Sequence, residues 1–336
     1  LESGLKETET GLPRASVVIA SYNRARSLDR CLAALIRQSI GPERFELVVV
    51  DDGSQDDTRE VCGSWKSRFP CMKTLRSGAN LGLASAANLG IRSSVAPLVL
   101  FTDDDCLPRP DWVGRMCAAL DRRPVVAGAV ESPPGAYIKL CHNVAHFHPF
   151  MGRRSGTAPF IAGANMGFRR TVLDALGGFE ERRQGAPDME FILRARQQGF
   201  SIYYDPLAVV LHDHDRTTPG ALWRTSKSHA AVTIHLRNRY RDVLNTPFPL
   251  RSPAFLLPAA PIIALKATLE AFLRNPSPSK PWKTAPAVYA LKLAWCWGAL
   301  TGLLQGRSDG KPGFMARNRN GRDETQPLSV RSFGRS

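Results

Sequence analysis

Along the first 215 residues, short apolar runs alternate with segments whose apolar positions recur at helical spacing. Ser16 to Ala20, Phe45 to Val50 and Pro97 to Thr102 are apolar runs of strand length, and Met72 to Leu75 reads as a further short strand. Between the first two, Leu28, Cys31, Leu32, Leu35 and Ile36 fall on one face of a helix. Asp56-Asp57-Thr58 opens another helix with N-cap chemistry, and Gly82 to Ser93 reads as a helix rich in small residues. Strands buried on both faces that alternate with helices predict βαβ units, hence an α/β fold with a parallel sheet.

The pattern continues with a strand at Val125 to Val130, broken by Ser132-Pro133-Pro134-Gly135. Residues 136–160 read as irregular. His142 and His146 would share a helical face, but Pro149 and the lack of a nearby acid argue against a metal site there. Phe160 to Gly167 is a small-residue stretch where backbone can approach a ligand. Arg169 to Leu176 is a helix ended by Gly177-Gly178, and Asp188 to Gln198 is another. Ile202 to Tyr204 and Ala208 to Leu211 read as two short strands leading to His212-Asp213-His214.

Beyond that point the composition changes. Residues 254–273 and 286–305 are strongly apolar, interrupted by Pro258, Pro261, Lys266 and Glu270 in the first and Lys292 in the second. Neither is a clean bilayer span, and Trp282, Trp295 and Trp297 suit a lipid headgroup boundary, so the preferred reading is an interfacial hairpin. The expected organisation is a polar leader at 1–14 without a signal-peptide core, a catalytic domain at 15–215, a helical, membrane-associated region at 216–305 and a basic disordered tail at 306–336.

The net charge of +15 gathers after the presumed core. Such a surplus suits nucleic acid, anionic lipid or phosphorylated ligands, but no zinc finger or basic-aromatic repeat supports nucleic acid. The seven cysteines form no CxxC pair, which points to a reducing compartment.

The chemistry concentrates where Val99 to Thr102 ends in Asp103-Asp104-Asp105. Ligands bind beyond the carboxyl ends of parallel strands. In extended chain Asp103 and Asp105 point one way and Asp104 the other. Adjacent carboxylates repel, and a hard divalent cation relieves that repulsion. Neither GxGxxG nor GxxxxGK[ST] is present, so a nucleotide site here is built on carboxylates.

The ordered series Ser16 to Arg24, Val50-Asp51-Asp52-Gly53-Ser54, Asn80-Leu81-Gly82, Asn88-Leu89-Gly90, Asp103-Asp104-Asp105, Gly163-Ala164-Asn165-Met166, Gly177-Gly178-Phe179 and Asp188 resembles the family 2 glycosyltransferases of the GT-A fold. The resemblance runs from about residue 14 to 215. It implies the GT-A fold, a mainly parallel mixed sheet flanked by helices, here with a C-terminal helical extension. It also implies an inverting transfer from a nucleotide-sugar, a UDP-sugar by preference, assisted by Mn²⁺ or Mg²⁺.

Carried over by position, Ala20, Tyr22 and Arg24 with Asp51 or Asp52 would hold the base and ribose, and Gly82, Asn88 and Asp104 would sit at the nucleotide. Gly163, Ala164 and Asn165 would lie beside the donor sugar. Asp103 would approach ribose or metal, Asp105 would bind the metal, and His212 or His214 would add a contact unless these histidines belong to a surface loop. Asp188 would be the general base, with Glu190 next in line. Pro187 stands where many relatives carry Glu.

The implied acceptor is a glycan or lipid-linked hydroxyl, and the implied place is the cytoplasmic face of the plasma membrane, with an anionic membrane surface as partner. A nucleotidyltransferase, a non-catalytic nucleotide-sugar binding protein and, on charge alone, a nucleic-acid binder stay open as alternatives.

Overall fold

The computed structural model describes residues 13–181, 185–274 and 276–306. The leader expected at 1–14 and the tail expected at 306–336 lie almost wholly outside them. In chain order the elements are β1 Ala15–Ser21, α1 Ala25–Leu35, β2 Phe45–Asp51, α2 Thr58–Trp65, β3 Met72–Arg76, α3 Leu83–Ser93, β4 Leu98–Thr102 and β5 Cys106–Pro108. There follow α4 Trp112–Leu120, β6 Val125–Glu131, α5 Tyr137–Phe147, β7 Gly156–Ala158, β8 Asn165–Arg169, α6 Arg170–Leu176, α7 Pro187–Gln197 and β9 Ile202–His212. The C-terminal helices are α8 Pro219–Arg239, α9 Arg241–Leu244, α10 Pro253–Leu273 and α11 Ala285–Gln305.

Among the described residues the strands form one nine-stranded sheet in the order β3-β2-β1-β4-β8-β6-β9-β5, with β7 on β9. The first four are parallel, as their two-sided burial predicts. The sheet then becomes mixed: β8 runs antiparallel to β4 and β6, and β5 antiparallel to β9. Two registers decide where the chemistry sits. Thr102 pairs with Asn165, which brings the 160–164 loop beside the Asp103 cluster. Cys106 pairs with His212, which sets that imidazole against Asp105.

The helical stripe of α1 buries Leu28, Cys31, Leu32 and Leu35 on the sheet. The main core lies between the sheet and its flanking helices, with Trp112, Phe45, Phe69, Phe168 and Phe191 its largest fully buried side chains. A separate cluster joins Ala230 and Ile234 of α8, Leu256 of α10 and Cys296, Ala299 and Leu303 of α11. There α11 lies directly on α8. A Cβ at Gly298 would stand 2.0 Å from the Lys227 carbonyl oxygen, and one at Gly302 would stand 2.5 Å from that of Ala231. The seven cysteines are free, and all but Cys71 are buried.

Two expectations need correction. The stretch at 136–160 is not irregular: α5 occupies its first part, and Pro149 falls beyond the last turn of that helix instead of breaking it. The two short strands near 202–211 are one strand, β9, whose pairing with β6 shifts register between Gly128 and Ala129 and so hides its continuity in the side-chain alternation. The apolar segments near 254–273 and 286–305 are uninterrupted helices of 21 residues each. By length and composition alone, the two segments Pro253–Leu273 and Trp282–Gln305 suffice to cross a membrane.

Candidate active site

The carboxyl ends of β1 and β4 meet at Asp104, whose side chain accepts hydrogen bonds from Ser21 Oγ at 2.7 Å and Arg24 Nη1 at 2.9 Å. The same Arg24 nitrogen reaches Asp105 Oδ2 at 2.7 Å. Arg24 was expected at the nucleotide; in this structure its guanidinium instead neutralises the two inner carboxylates. Asp104 does not face away from Asp105 as extended chain would have it: the three carboxylates follow the end of β4 at Thr102, Asp104 and Asp105 lie in a turn and converge on the same Arg24 nitrogen, and Asp104 is pushed up to about 6 by burial against the opposing pull of Arg24. Asp103 is pushed up to about 8 by burial, then by repulsion from Asp105, Asp104 and Asp188. Burial also works against charge on Asp105, but His212 and Arg24 outweigh it and hold that carboxyl below its usual range.

His212 and His214 are buried, 4% and 0% exposed, so the surface-loop alternative is excluded for both. His212 is oriented by Asn143 of α5. The Asn143 amide nitrogen donates to the His212 carbonyl at 2.9 Å, which fixes the flip of the amide and leaves its oxygen to receive His212 Nδ1 at 2.7 Å. Nδ1 therefore carries the proton. Nε2 then turns its lone pair to Asp105 Oδ1, 3.4 Å away, an atom that is buried without a hydrogen-bond partner. Burial holds His212 below its ordinary pKa, against the pull of Asp105.

Two lone pairs that face each other in a buried site lack a positive charge between them. Asp103, Asp105 and His212 bring their ligand atoms within 4.8 Å of one another, and an O,O,N donor set suits Mn²⁺ or Mg²⁺, so the residues fit the cation. His142, on α5, was set aside on the sequence because of Pro149, yet its ring and those of His212 and His214 also lie within ligand reach of each other. His214 is turned by a hydrogen bond from the Arg216 N–H to Nδ1, 3.1 Å.

Asp103, His212, Ala20, Gly163, Ala164 and Asp188 all line one cavity of about 1190 Å³. Asp188 stands in the first turn of α7, after a left-handed Ala186, and accepts from the Gly163 N–H at 3.1 Å instead of capping its own helix. Its side chain points across the cavity wall toward the 160–164 loop. Glu190, the next candidate in line, is 3% exposed; both of its carboxylate oxygens accept from Arg194 Nε at 3.0 Å, and Oε1 also accepts from the Tyr240 hydroxyl at 2.9 Å.

Other expected site residues are engaged elsewhere. Asp51 accepts from the Ser54 N–H and from Arg76, and Asp52 from Ser77 Oγ and the N–H groups of Leu81 and Gly82. These bonds build the loops at the β2 end, while Tyr22 stays exposed at their rim. Asn88 uses its whole amide on Phe179 and Glu181, holding the Gly177-Gly178 turn onto α3. Asn165 is 0% exposed, its oxygen accepts from Trp112 Nε1, and its nitrogen donates to the carbonyls of Ala129 and Ala208, so its amide stitches the core.

Residues 16–177 match the family model described as Glycosyl transferase family 2. Those residues are a family 2 glycosyltransferase domain. Over 198 residues the chain is 28% identical to the glycosyltransferase AglE of Haloferax volcanii, a match covering 57% of this chain and 64% of that one. A 44% identical match to validoxylamine A glucosyltransferase of Streptomyces hygroscopicus covers 32% of this chain and 24% of that protein. The chain thus spans less than two-thirds of these curated relatives. Among solved structures, a mannosyltransferase of Pyrobaculum calidifontis, PcManGT, in complex with GDP-Man and Mn²⁺, superposes with a TM-score of 0.61 at 22% identity, covering 88% of each chain. The fold is GT-A, a mixed sheet flanked by helices, with C-terminal helices added.

Proposed function

We propose that this chain transfers a sugar from a nucleoside diphosphate sugar to an acceptor hydroxyl, with inversion, by a single displacement. The observation that supports this most directly is the cavity shared by the Asp103 cluster and Asp188. Asp103, Asp105 and His212 would hold the divalent cation, which when bound offsets the charge of the leaving diphosphate. Asn143 keeps the His212 lone pair aimed at that position, and Arg24 keeps Asp105 ionised. Asp188, held by Gly163, takes the proton of the attacking hydroxyl at its carboxylate. A single displacement needs no nucleophilic side chain; it needs the hydroxyl and the anomeric carbon in line, which a walled cavity enforces.

The mannosyltransferase with GDP-Man and Mn²⁺ makes GDP-sugars as worth testing as the UDP-sugars that the motifs suggest. We place the protein at the cytoplasmic side of an anionic membrane surface, on the strength of its charge and of the exposed apolar residues of α10. The deciding experiment is calorimetry with UDP- and GDP-sugars, with and without Mn²⁺, on the wild type and Asp105→Ala. Metal-dependent binding of one donor, lost in Asp105→Ala with the thermal transition retained, is the expected result. Donor binding that ignores both the metal and the substitution would overturn the assignment.

A further inference from the structure

Where α5 lies against the end of β9, three buried imidazoles meet. His142 of α5, His212 of β9 and His214 just beyond it are 4%, 4% and 0% exposed. The His142 and His214 rings stand edge to face at 4.4 Å, and the His212 ring lies 6.0 Å from the first and 5.2 Å from the second. One ring nitrogen of each comes within 4.8 Å of the other two. Burial holds all three below the ordinary histidine pKa, so at pH 7 they are neutral, the form that ligates metal ions.

The second observation is which nitrogens are left free. Asn143 Oδ1 receives His212 Nδ1 at 2.7 Å and His142 Nδ1 at 3.4 Å, so both rings carry the proton on Nδ1 and keep a bare Nε2. The Asn143 nitrogen is spent on Ser132 Oγ and the His212 carbonyl. His214 Nδ1 accepts the Arg216 N–H at 3.1 Å, which leaves Nε2 free on this ring too. Both His142 Nε2 and His214 Nε2 are buried without a hydrogen-bond partner. A buried ring nitrogen with no partner has lost its hydration and gained nothing in exchange. An ion among the three rings removes that cost. A set made only of imidazoles suits Zn²⁺, whereas Mn²⁺ stands at the weak end of the divalent series and Mg²⁺ takes oxygen.

We propose that His142, His212 and His214 form a second metal site, selective for Zn²⁺ over Mn²⁺, and that filling it disables the carboxylate site. His212 belongs to both sets of ligands. With Nδ1 committed to Asn143 it has one lone pair to give, and one lone pair cannot serve two ions. His142 and His212 line the active-site cavity, so an ion has a way in. Ligation at His214 moves the ring proton from Nε2 to Nδ1 and gives up the contact with Arg216. That is one neutral hydrogen bond lost, a small cost beside a bond to a transition-series ion. The histidine site stands on its own geometry; its antagonism rests on the glycosyltransferase reading, in which the donor's cation sits at Asp103, Asp105 and His212.

The test is calorimetry on the full chain with Zn²⁺, and visible absorption with Co²⁺ as its stand-in, in wild type and two variants. The wild type should take up one Zn²⁺, and Co²⁺ should give the spectrum of a nitrogen-ligated ion. His142→Phe keeps a ring on His146, which stacks on it at 4.2 Å, and strands no strong hydrogen bond. It should weaken Zn²⁺ by about 100-fold or more, with the thermal transition and Mn²⁺-dependent donor binding retained. Asp105→Ala should do the reverse, losing the donor and keeping Zn²⁺. In the wild type Zn²⁺ should suppress Mn²⁺-dependent donor binding, and added Mn²⁺ should relieve the suppression.

No Zn²⁺ uptake by the wild type overturns the proposal, and so does full Zn²⁺ affinity in a folded His142→Phe. Loss of Zn²⁺ in Asp105→Ala puts the ion on the carboxylates and overturns it too. Zn²⁺ held by the histidines beside untouched Mn²⁺-dependent donor binding removes the antagonism. Absence of donor binding with any metal, beside an intact Zn²⁺ site, would count against the transferase reading alone.

Discussion

The Asp188 carboxylate and the Gly163 backbone are in direct contact: Oδ2 accepts the Gly163 N–H at 3.1 Å, and a Cβ on Gly163 would meet that oxygen at 2.9 Å. The glycine is therefore a seat for the candidate base. Gly163→Ala forces the carboxylate to move while leaving the strand pairing of β8 intact. Turnover should fall by about tenfold to 10², the range that misplacement by about 1 Å produces, with an unchanged thermal transition. Wild-type turnover in a folded Gly163→Ala would show that the position of Asp188 is not critical.

Asp188→Asn separates chemistry from structure. The amide oxygen can still accept the Gly163 N–H, so α7 and the loop should hold, but the side chain can no longer take a proton. Transfer should drop by at least about 10², with donor affinity and melting temperature retained. Turnover close to wild type would reduce Asp188 to a tether for the 160–164 loop.

Asn165→Ala should behave in the opposite way. It strands the Trp112 N–H and the carbonyls of Ala129 and Ala208 in the core. Each orphaned group costs about 1–3 kcal/mol, so denaturant unfolding should register a large loss of stability. Donor affinity per folded molecule should stay the same. If stability is retained and donor affinity collapses, Asn165 is a binding residue after all.

Glu46 supplies a pH-dependent element far from the site. Burial raises its pKa, but hydrogen bonds from Lys73, Ser16 and the Val95 N–H outweigh this and hold it below the ordinary 4.5. A depressed carboxyl contributes stability above its unfolded pKa and loses it as pH falls through the folded value. Glu46→Gln should therefore cost about 1 kcal/mol at pH 7, a modest figure because Lys73 is partly exposed and screened. The gap to wild type should close as pH drops below 4.5. A gap that is constant from pH 7 to 3 would show that the loss is one of packing.

The parallel half of the sheet was legible because its strands are buried on both faces and end in polar turns, a purely local signal. The alternation expected of Asp103, Asp104 and Asp105 was misleading, because the strand ends at Thr102 and the turn that follows brings Asp104 and Asp105 onto one Arg24 nitrogen. Asn143 and His142 were not legible. Their roles depend on α5 lying against the end of β9, a contact across about 70 positions of chain with no periodic trace, and Pro149 looked like a breaker because the helix end could not be placed. Lys292 read only as an interruption of an apolar run; the tertiary fold turns it toward the cavity. The ties of Arg24 to Asp104 and Asp105 and of Asn165 to Trp112 were not legible either: motif position gives the loop, whereas the fold decides which hydrogen-bond partners each side chain meets.

The bare contact at Gly298 and Gly302 also sets a dimension of the cavity. Lys292 rides on the same helix and lines the cavity, so the span between its wall and the carboxylate wall is set by how closely two backbones touch. Replacing either glycine with a larger residue pushes α11 outward and enlarges the chamber without changing any group at the reaction centre. The width of the cavity on that side thus answers to two positions that line none of it.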